Sequence, residues 1–105
     1  MYGFIWNAKG VGEPEKGFFI HDMIVKFDAE FADIQETKRS SFTDDWLRSV
    51  TGRFPFSWIC VPAKGHSGGI LLGVNCDFYD VLESEIGRFH ARTLVKVKTQ
   101  VCVII

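Results

Sequence analysis

Two short segments of this sequence decide its fold: YGFIWN at residues 2–7 and FADIQET at residues 31–37. Each begins as an apolar, strand-like run and ends in a polar block, WN in the first and QET in the second. A strand-helix-strand unit of this length can bring both strand ends to one edge of a sheet, which predicts the Asn7 amide beside the Glu36 carboxylate. An amide beside a carboxylate suits a hard cation and a phosphate.

Composition limits what such a site could belong to. With 105 residues, 47% of them apolar and 14% aromatic, the chain is compatible with one small domain or a piece of a larger one, and a disordered tail is excluded. A net charge of -1 provides no basic surface for holding nucleic acid, so phosphate recognition would depend on a metal and a few local cations. The nearest basic patch is Lys38-Arg39, which is either a solvated turn or a contact to the nucleic-acid backbone in the parent fold.

The cysteines and the hydropathy give an expectation for localisation. Cys60, Cys76 and Cys102 are an odd number without a short metal-ligand spacing, which favours reduced thiols. No apolar run approaches the roughly 18 residues of a membrane span, and the N-terminus does not resemble a signal peptide. We therefore expect a soluble intracellular protein, nuclear or cytoplasmic, that does not enter a membrane.

The segment between the two polar blocks is predicted to be a helix. A Gly-rich loop at Lys9–Gly12 ends the first strand. Pro14 suits the first turn of a helix, and the negative charge of Glu15 is favourable at the positive N-terminal end of the helix dipole. Apolar residues then recur at helical spacing, at Phe19, Ile20, Met23, Ile24 and Phe27. We expect this helix to cover one face of a sheet.

The second half of the chain is predicted to be mostly strands. Thr43 is the expected N-cap of a short helix, and three short strands are predicted at residues 56–61, 70–74 and 81–86. The last predicted strand alternates from Thr93 to Val101, with Lys96, Lys98 and Gln100 on its wet face. The apolar residues 102–105 follow without a turn signal, so we expect an open strand edge there that is prone to self-association.

Three blocks together carry a family resemblance: WNAKG at residues 6–10, IQETK at 34–38 and SGGI at 67–70. In this order they resemble three motifs of the endonuclease/exonuclease/phosphatase superfamily. Their residues are most similar to those of the endonuclease domains that precede reverse transcriptase in plant LINE-type retrotransposons. The resemblance covers residues 1–105, but only the N-terminal half of such a domain. It implies an α+β fold, a partial four-layer α/β/β/α sandwich of the DNase-I-like type, truncated at its C-terminus.

The resemblance also implies a role for each matching residue. Glu36 would be the carboxylate ligand of Mg²⁺ or Mn²⁺, and Asn7 would hold the geometry of the metal site or donate to the scissile phosphate. Gln35 would contact the metal surroundings or the substrate, as would the third block, Ser67, Gly68 and Gly69. DNA is the implied partner of the complete enzyme.

The sequence departs from the family pattern in its second half. The Asp and His that orient water in the complete enzymes have no counterpart, because His21, His66 and His90 do not stand in a Ser-Asp-His block and no Asp-x-Asn block follows Val81. General acid–base catalysis alone typically accelerates a reaction about 10²- to 10⁴-fold, and this chain would lack that contribution. We therefore predict a truncated phosphodiesterase with little activity by itself. The alternative is a non-catalytic remnant that packs against another chain.

Simpler interpretations exist for each block taken alone. Asn7 is a common type of turn residue, Glu36 would be a solvated charge at a strand end, and Gly68-Gly69 would be a bare turn. Residues 65–69, GHSGG, formally match the nucleophile elbow of serine hydrolases. That elbow needs a strand directly before the Ser and a helix directly after, whereas Pro62 interrupts the first and a strand-like run replaces the second.

Overall fold

The computed structural model describes residues 3–64, 68–87, 90–97 and 102–105. Its elements in chain order are β1 (Gly3–Asn7), α1 (Pro14–Lys26), β2 (Phe31–Gln35), α2 (Asp44–Thr51), β3 (Phe56–Val61), β4 (Ile70–Asn75), β5 (Tyr79–Ile86), β6 (Ala91–Val97) and β7 (Cys102–Ile104). The mixed α/β class is as predicted, and both predicted helices are present. Neither described helix combines the length and the apolar character needed to cross a membrane.

The described strands form two sheets. The first sheet has the order β1-β2-β4-β3, and the second has the order β5-β6-β7. Strands β1 and β2 are parallel, with Asn7 opposite Gln35, while β4 is antiparallel to both of its neighbours. Since α1 connects the two parallel strands, the predicted strand-helix-strand unit is confirmed, and the two strands end together at one edge.

The helices cover one face of the first sheet. Ile20 and Ile24 of α1 and Val50 of α2 are buried in one cluster with Ala32 and Ile34 of β2. The two buried residues on α1 were predicted by its helical spacing. Two other members of that pattern are exposed to solvent: Phe19 is 42% exposed and Phe27 is 46% exposed. Phe19 packs instead on Trp6, with ring centroids 4.6 Å apart.

The second sheet covers the opposite face. Phe31 and Val74, which are register partners, pack with Tyr79 and Val95 in a second buried cluster. Tyr79 is fully buried, and its hydroxyl donates to Glu30 Oε1 at 2.9 Å. The described residues thus form three layers, helices on a mixed sheet on an antiparallel sheet. The second helical layer of the predicted four-layer sandwich is not seen in this part of the chain.

The start of α2 follows the predicted capping chemistry. Thr43 is the N-cap, and its Oγ1 accepts a hydrogen bond from the Trp46 backbone N–H at 3.1 Å. Such a bond satisfies one of the backbone donors that the first helical turn leaves unpaired. The prediction of a helix capped by Thr43 is confirmed.

The end of the chain differs from its prediction. Strand β6 ends at Val97, and β7 pairs back on it antiparallel, with Leu94 opposite Ile104. The prediction of one strand from Thr93 to Val101 is therefore wrong. Alternation identifies a strand but does not locate a reversal where no Gly or Pro marks the turn. The predicted wet-face residues Lys98 and Gln100 lie outside the described residues.

Candidate functional site

The loops that follow β1 and β2 are joined by backbone hydrogen bonds. Beyond the strand ends, Ala8 N–H donates to Gln35 O at 2.9 Å and Gly10 N–H donates to Glu36 O at 2.8 Å. Val11 N–H continues the series to Thr37 O at 3.2 Å. The first two polar blocks of the sequence therefore lie side by side, as the strand-helix-strand unit predicts.

The third block joins the same edge. Thr37 N–H donates to Gly69 O at 3.1 Å, and Lys38 N–H donates to Gly68 O at 2.9 Å. The segment 36–38 is thus held on one side by residues 10–11 and on the other by residues 68–69. Ser67, also expected in this block, lies outside the described residues.

The backbone at this edge is unusually rich in positive φ angles. Glu36 and Lys38 have φ of 51° and 57°, and Lys9 on the neighbouring loop has φ of 51°. Non-glycine residues rarely adopt this region, and such conformations cluster where the surrounding structure fixes a functional loop. Of the four non-glycine residues with positive φ in the described chain, these three belong to the site and Asp28 does not.

Gly69 allows the third loop to approach the second. Its φ is +90°, and a Cβ added to it would lie 2.3 Å from Thr37 Oγ1. Thr37 is itself fully buried, and its Oγ1 accepts a hydrogen bond from the Arg39 backbone N–H at 3.4 Å. The base of the site is therefore close-packed around Thr37, and only glycine fits at position 69.

The two predicted metal-site side chains are both on the surface of this edge. Glu36 and Asn7 are exposed, and Asn7 Oδ1 accepts from Lys9 N–H at 3.2 Å. The turn role that Asn7 would have by itself is thus present. An amide oxygen has two lone pairs, so this bond leaves capacity for a second partner. Glu36 lies on the loop that follows the neighbouring strand β2, and it supplies a negative charge at this edge.

Gln35 is held by a neighbour that sequence reasoning did not place in the site. Its Nε2 donates to Asp33 Oδ1, and both residues are half-buried. Burial raises the pKa of Asp33 above its usual value, while the Gln35 hydrogen bond partly offsets this by favouring the ionised carboxylate. The sequence signal for Asp33 was present, because a charged residue interrupts an otherwise apolar strand.

A second residue missed from the sequence is Lys16 on α1. Its Nζ donates to the Ala8 carbonyl oxygen and lies 5.6 Å from the centroid of the Trp6 ring. Lys16 therefore ties the loop after β1 to the helix. No local pattern indicates this contact, because the two bonded residues are eight positions apart and meet only after the helix packs.

The predicted nucleic-acid residues follow the site directly. Lys38 and Arg39 are both exposed, and the Arg39 guanidinium lies 5.6 Å from the centroid of the Phe42 ring. The Arg39 carbonyl accepts from Ala63 N–H at 2.9 Å, so its backbone is anchored while the side chain reaches the surface. Two cations thus stand within three positions of the Glu36 carboxylate.

The donor set fits only one kind of metal site. Among the described residues, no group of three or more His, Cys, Asp and Glu side chains could enclose an ion. A carboxylate and an amide provide oxygen ligands, which suit Mg²⁺, an ion that keeps several waters and often uses one or two carboxylates with substrate phosphate. The tetrahedral nitrogen and sulfur ligation typical of zinc has no counterpart here. These two oxygen donors are compatible in kind with a hard divalent cation, and they are too few to enclose one without further ligands.

The layer order, the sheet topology and the convergent loops together form a mixed α/β fold that is similar to a DNase-I-like domain. The chain is similar to the solved structure of the human Nocturnin catalytic domain with bound sulfate anion. The TM-score is 0.61 at 15% sequence identity, and the match covers 97% of this chain and 47% of that structure. This chain thus spans about half the length of its structural neighbour.

Comparison of the sequence with protein-family models and with curated proteins gives no match. At 15% identity the structural similarity establishes the fold and not the activity. The similarity is one of fold, and a partial DNase-I-like fold is what the resemblance of the three sequence blocks implies.

Proposed function

We propose that this chain is the metal-binding half of a phosphodiesterase domain of the DNA endonuclease type, with little catalytic activity by itself. The observation that supports it most is the pair of hydrogen-bond ladders that joins the loops carrying Asn7, Glu36 and Gly69. These are the three blocks that resemble the superfamily motifs, and the structure gathers them at one sheet edge.

In this proposal Glu36 and Asn7 hold the cation. Glu36 supplies a carboxylate oxygen to Mg²⁺ or Mn²⁺, and Asn7 fixes the site geometry or donates to the scissile phosphate. A divalent ion bound here would supply charge stabilisation at the phosphate and at the leaving oxygen. The positive-φ backbone and the buried Thr37 keep the Glu36 loop in one conformation, so little reorganisation is needed when substrate binds.

The surrounding residues would hold the DNA strand. Gln35, oriented by Asp33, and the loop of Gly68 and Gly69 would border the metal site, while Lys38 and Arg39 would contact backbone phosphates. The family resemblance gives Ser67 the same role as Gly68 and Gly69. Because the net charge of the chain is -1, DNA affinity would depend on these two cations and on the metal.

Low activity follows from the residues that the sequence does not contain. This chain has no Asp-x-Asn block and no Ser-Asp-His block, which orient the attacking water in the complete family enzymes. General acid–base catalysis alone is worth about 10²- to 10⁴-fold in rate. A derivation from a plant LINE-type retrotransposon endonuclease is part of the same proposal, as are DNA as the partner and an intracellular location.

Metal-dependent DNA binding tests this function. Fluorescence anisotropy with a labelled duplex would be measured with and without Mg²⁺ for the wild type, Glu36→Gln and the matched surface control Glu15→Gln. We expect Mg²⁺ to strengthen binding, and we expect Glu36→Gln to remove at least about tenfold of that gain, the loss seen when a metal site is disturbed. Glu15→Gln should behave as the wild type. Binding that ignores both Mg²⁺ and Glu36 would contradict the proposal.

Low activity is tested separately by nicking of supercoiled plasmid. Highly purified protein should nick no faster in Mg²⁺ than the Glu36→Gln variant does. Robust Mg²⁺-dependent nicking that Glu36→Gln abolishes would show that the chain is active alone.

One observation favours the second candidate function, a non-catalytic packing module. Ile104 is 67% exposed on β7, the outermost strand of the second sheet in the described chain. Unpaired strand edges with apolar side chains promote pairing with another chain. Sedimentation analysis of the wild type and Ile104→Lys tests it: self-association lost in the variant supports this role, and a wild type that stays monomeric at high concentration contradicts it.

A further inference from the structure

A recess lies beside the candidate site, between the first turns of α1 and the facing side of α2. Its volume is about 300 Å³, and its lining includes Val11, Pro14, Gly17, Phe18, Arg39 and Trp46. We call this the aromatic recess. The volume is at the lower end of small-ligand pockets, which run from about 300 to 1,000 Å³.

The walls of the aromatic recess are suited to a flat ring. Phe18 is 69% exposed, which is unusual for a large aromatic side chain at the start of a helix, and Trp46 is half-buried across from it. Gly17 is part of the lining and has no side chain; a Cβ there would make an ordinary contact with Trp46 Nε1 at 3.8 Å, so a larger side chain would take up space in the recess. Aromatic faces stack on nucleobases of any sequence, and an indole N–H can donate to a base acceptor.

The aromatic recess is tied to the proposed metal site through the backbone. Val11, in its wall, donates to Thr37 O at 3.2 Å, next to the Gly10 bond to Glu36 O. Arg39 follows Glu36 by three residues, so at most about 11 Å of chain separates them. One DNA strand rises about 3.4 Å per nucleotide. A base in the recess would therefore belong to a nucleotide within about three positions of the phosphate at Glu36.

Charge around the aromatic recess favours a base inside it and phosphates outside. The Glu13 carboxylate lies on its rim and would repel a phosphate, whereas it can accept from an exocyclic amino group of a base. Arg39 also lines the recess, and it supplies a cation that can contact the strand backbone. A base that is stacked and paired inside a duplex offers neither free face to an aromatic ring, so the base must be unpaired.

We propose that the aromatic recess binds an unpaired nucleobase of the DNA strand that runs through the Glu36 site. The inference rests on the proposed function and narrows its substrate class to DNA with a single-stranded segment within about three nucleotides of the scissile phosphate. Phe18 is the residue on which the base stacks, and Gly17 leaves the space that it enters.

The test compares the affinities for two labelled DNAs in Mg²⁺, a blunt duplex and the same duplex with a three-nucleotide single-stranded flank. We expect the wild type to prefer the flanked DNA about tenfold, a typical effect of one base–aromatic stack. Phe18→Ala should lose this preference while it keeps Mg²⁺-dependent binding of the blunt duplex. Phe27→Ala, which truncates another exposed Phe of the same helix region outside the recess, should retain it.

Two further measurements decide between a base and its phosphates. Gly17→Leu, which fills the recess without removing an aromatic ring, should also abolish the preference. A flank of abasic nucleotides should bind no better than the blunt duplex. Equal binding of the two DNAs by the wild type, or a preference that survives Phe18→Ala, Gly17→Leu or the abasic flank, would overturn the inference.

The same experiment separates this inference from the proposed function. A flank preference that needs Phe18, together with DNA binding that neither Mg²⁺ nor Glu36→Gln changes, would support the aromatic recess and contradict the metal site. Glu36-dependent binding without any flank preference would do the opposite. No binding of either DNA would contradict both.

Discussion

Alanine at Gly69 should destabilise the protein because this glycine lets the third loop meet the second. The first contribution is conformational: φ is +90°, and an L-residue in a left-handed conformation costs about 1–2 kcal/mol. The second is steric, since the new Cβ would overlap Thr37 Oγ1 at 2.3 Å and press on Lys38 N at 3.2 Å. Overpacking of this kind costs about 1–3 kcal/mol, so the sum is about 2–5 kcal/mol.

The chain offers two matched controls. Gly68 has φ of +79° but open space around its Cβ position, so Gly68→Ala should show only the conformational cost of about 1–2 kcal/mol. Gly12 has open space and no positive φ, so Gly12→Ala should change stability by less than about 1 kcal/mol and raise it if anything. The predicted order of stability is Gly12→Ala, then Gly68→Ala, then Gly69→Ala.

Urea unfolding followed by tryptophan fluorescence measures this order through the midpoint and the slope m. A double variant isolates the steric part: Thr37→Ala removes the overlapping oxygen, so Gly69→Ala should cost less in that background than in the wild type. The reasoning would be refuted if Gly69→Ala and Gly68→Ala were equally stable, or if Thr37→Ala left the cost of Gly69→Ala unchanged.

Three further changes test the fold around the site. Tyr79→Phe removes the 2.9 Å bond to Glu30 and should cost about 1.5–3 kcal/mol at neutral pH. Burial and the Glu30 carboxylate raise the pKa of Tyr79 to about 12, so the wild type should lose stability between pH 10 and 12, where the unfolded phenol ionises first, and Tyr79→Phe should lose less. Burial also raises the pKa of Asp33, which means that the folded state favours the protonated carboxyl. The stability that Asp33 contributes is therefore present at acid pH and is lost as pH rises through its folded pKa. Asp33→Asn should be more stable than the wild type at pH 7 and equal to it near pH 3. Thr43→Ala should cost about 0.5–2 kcal/mol by removing the cap on Trp46 N–H, and an unchanged unfolding midpoint would contradict that contact.

Local chemistry made much of the fold predictable. Strand β3 has the predicted bounds, β2 begins at Phe31 as predicted, α1 begins at the predicted Pro14, and Thr43 caps α2. These features depend on propensity, proline and capping groups a few residues apart. The adjacency of the Asn7 and Glu36 blocks was also predictable, because a parallel strand-helix-strand unit has one common geometry.

The remainder depended on contacts between distant segments. The reversal that pairs Leu94 with Ile104 has no turn residue to mark it, and the partial exposure of Phe27 depends on which layers cover α1. In the site, Lys16 reaches Ala8 only once the helix has packed, and the half-buried Asp33 binds Gln35. The blocks could be found in the sequence, and Asp33 stood out as a charge in an apolar strand, whereas no local pattern indicated the Lys16 contact.

The most direct test of the account is where a divalent ion binds. Mn²⁺ broadens the NMR signals of nearby amides, so a titration of labelled protein reports the position of the ion. We predict broadening at low Mn²⁺ of the Gly10, Thr37 and Gly69 amides together, since their loops are joined at one edge, and its loss in Glu36→Gln. Broadening scattered over other surface carboxylates, or a pattern that Glu36→Gln leaves unchanged, would contradict a metal site at Glu36.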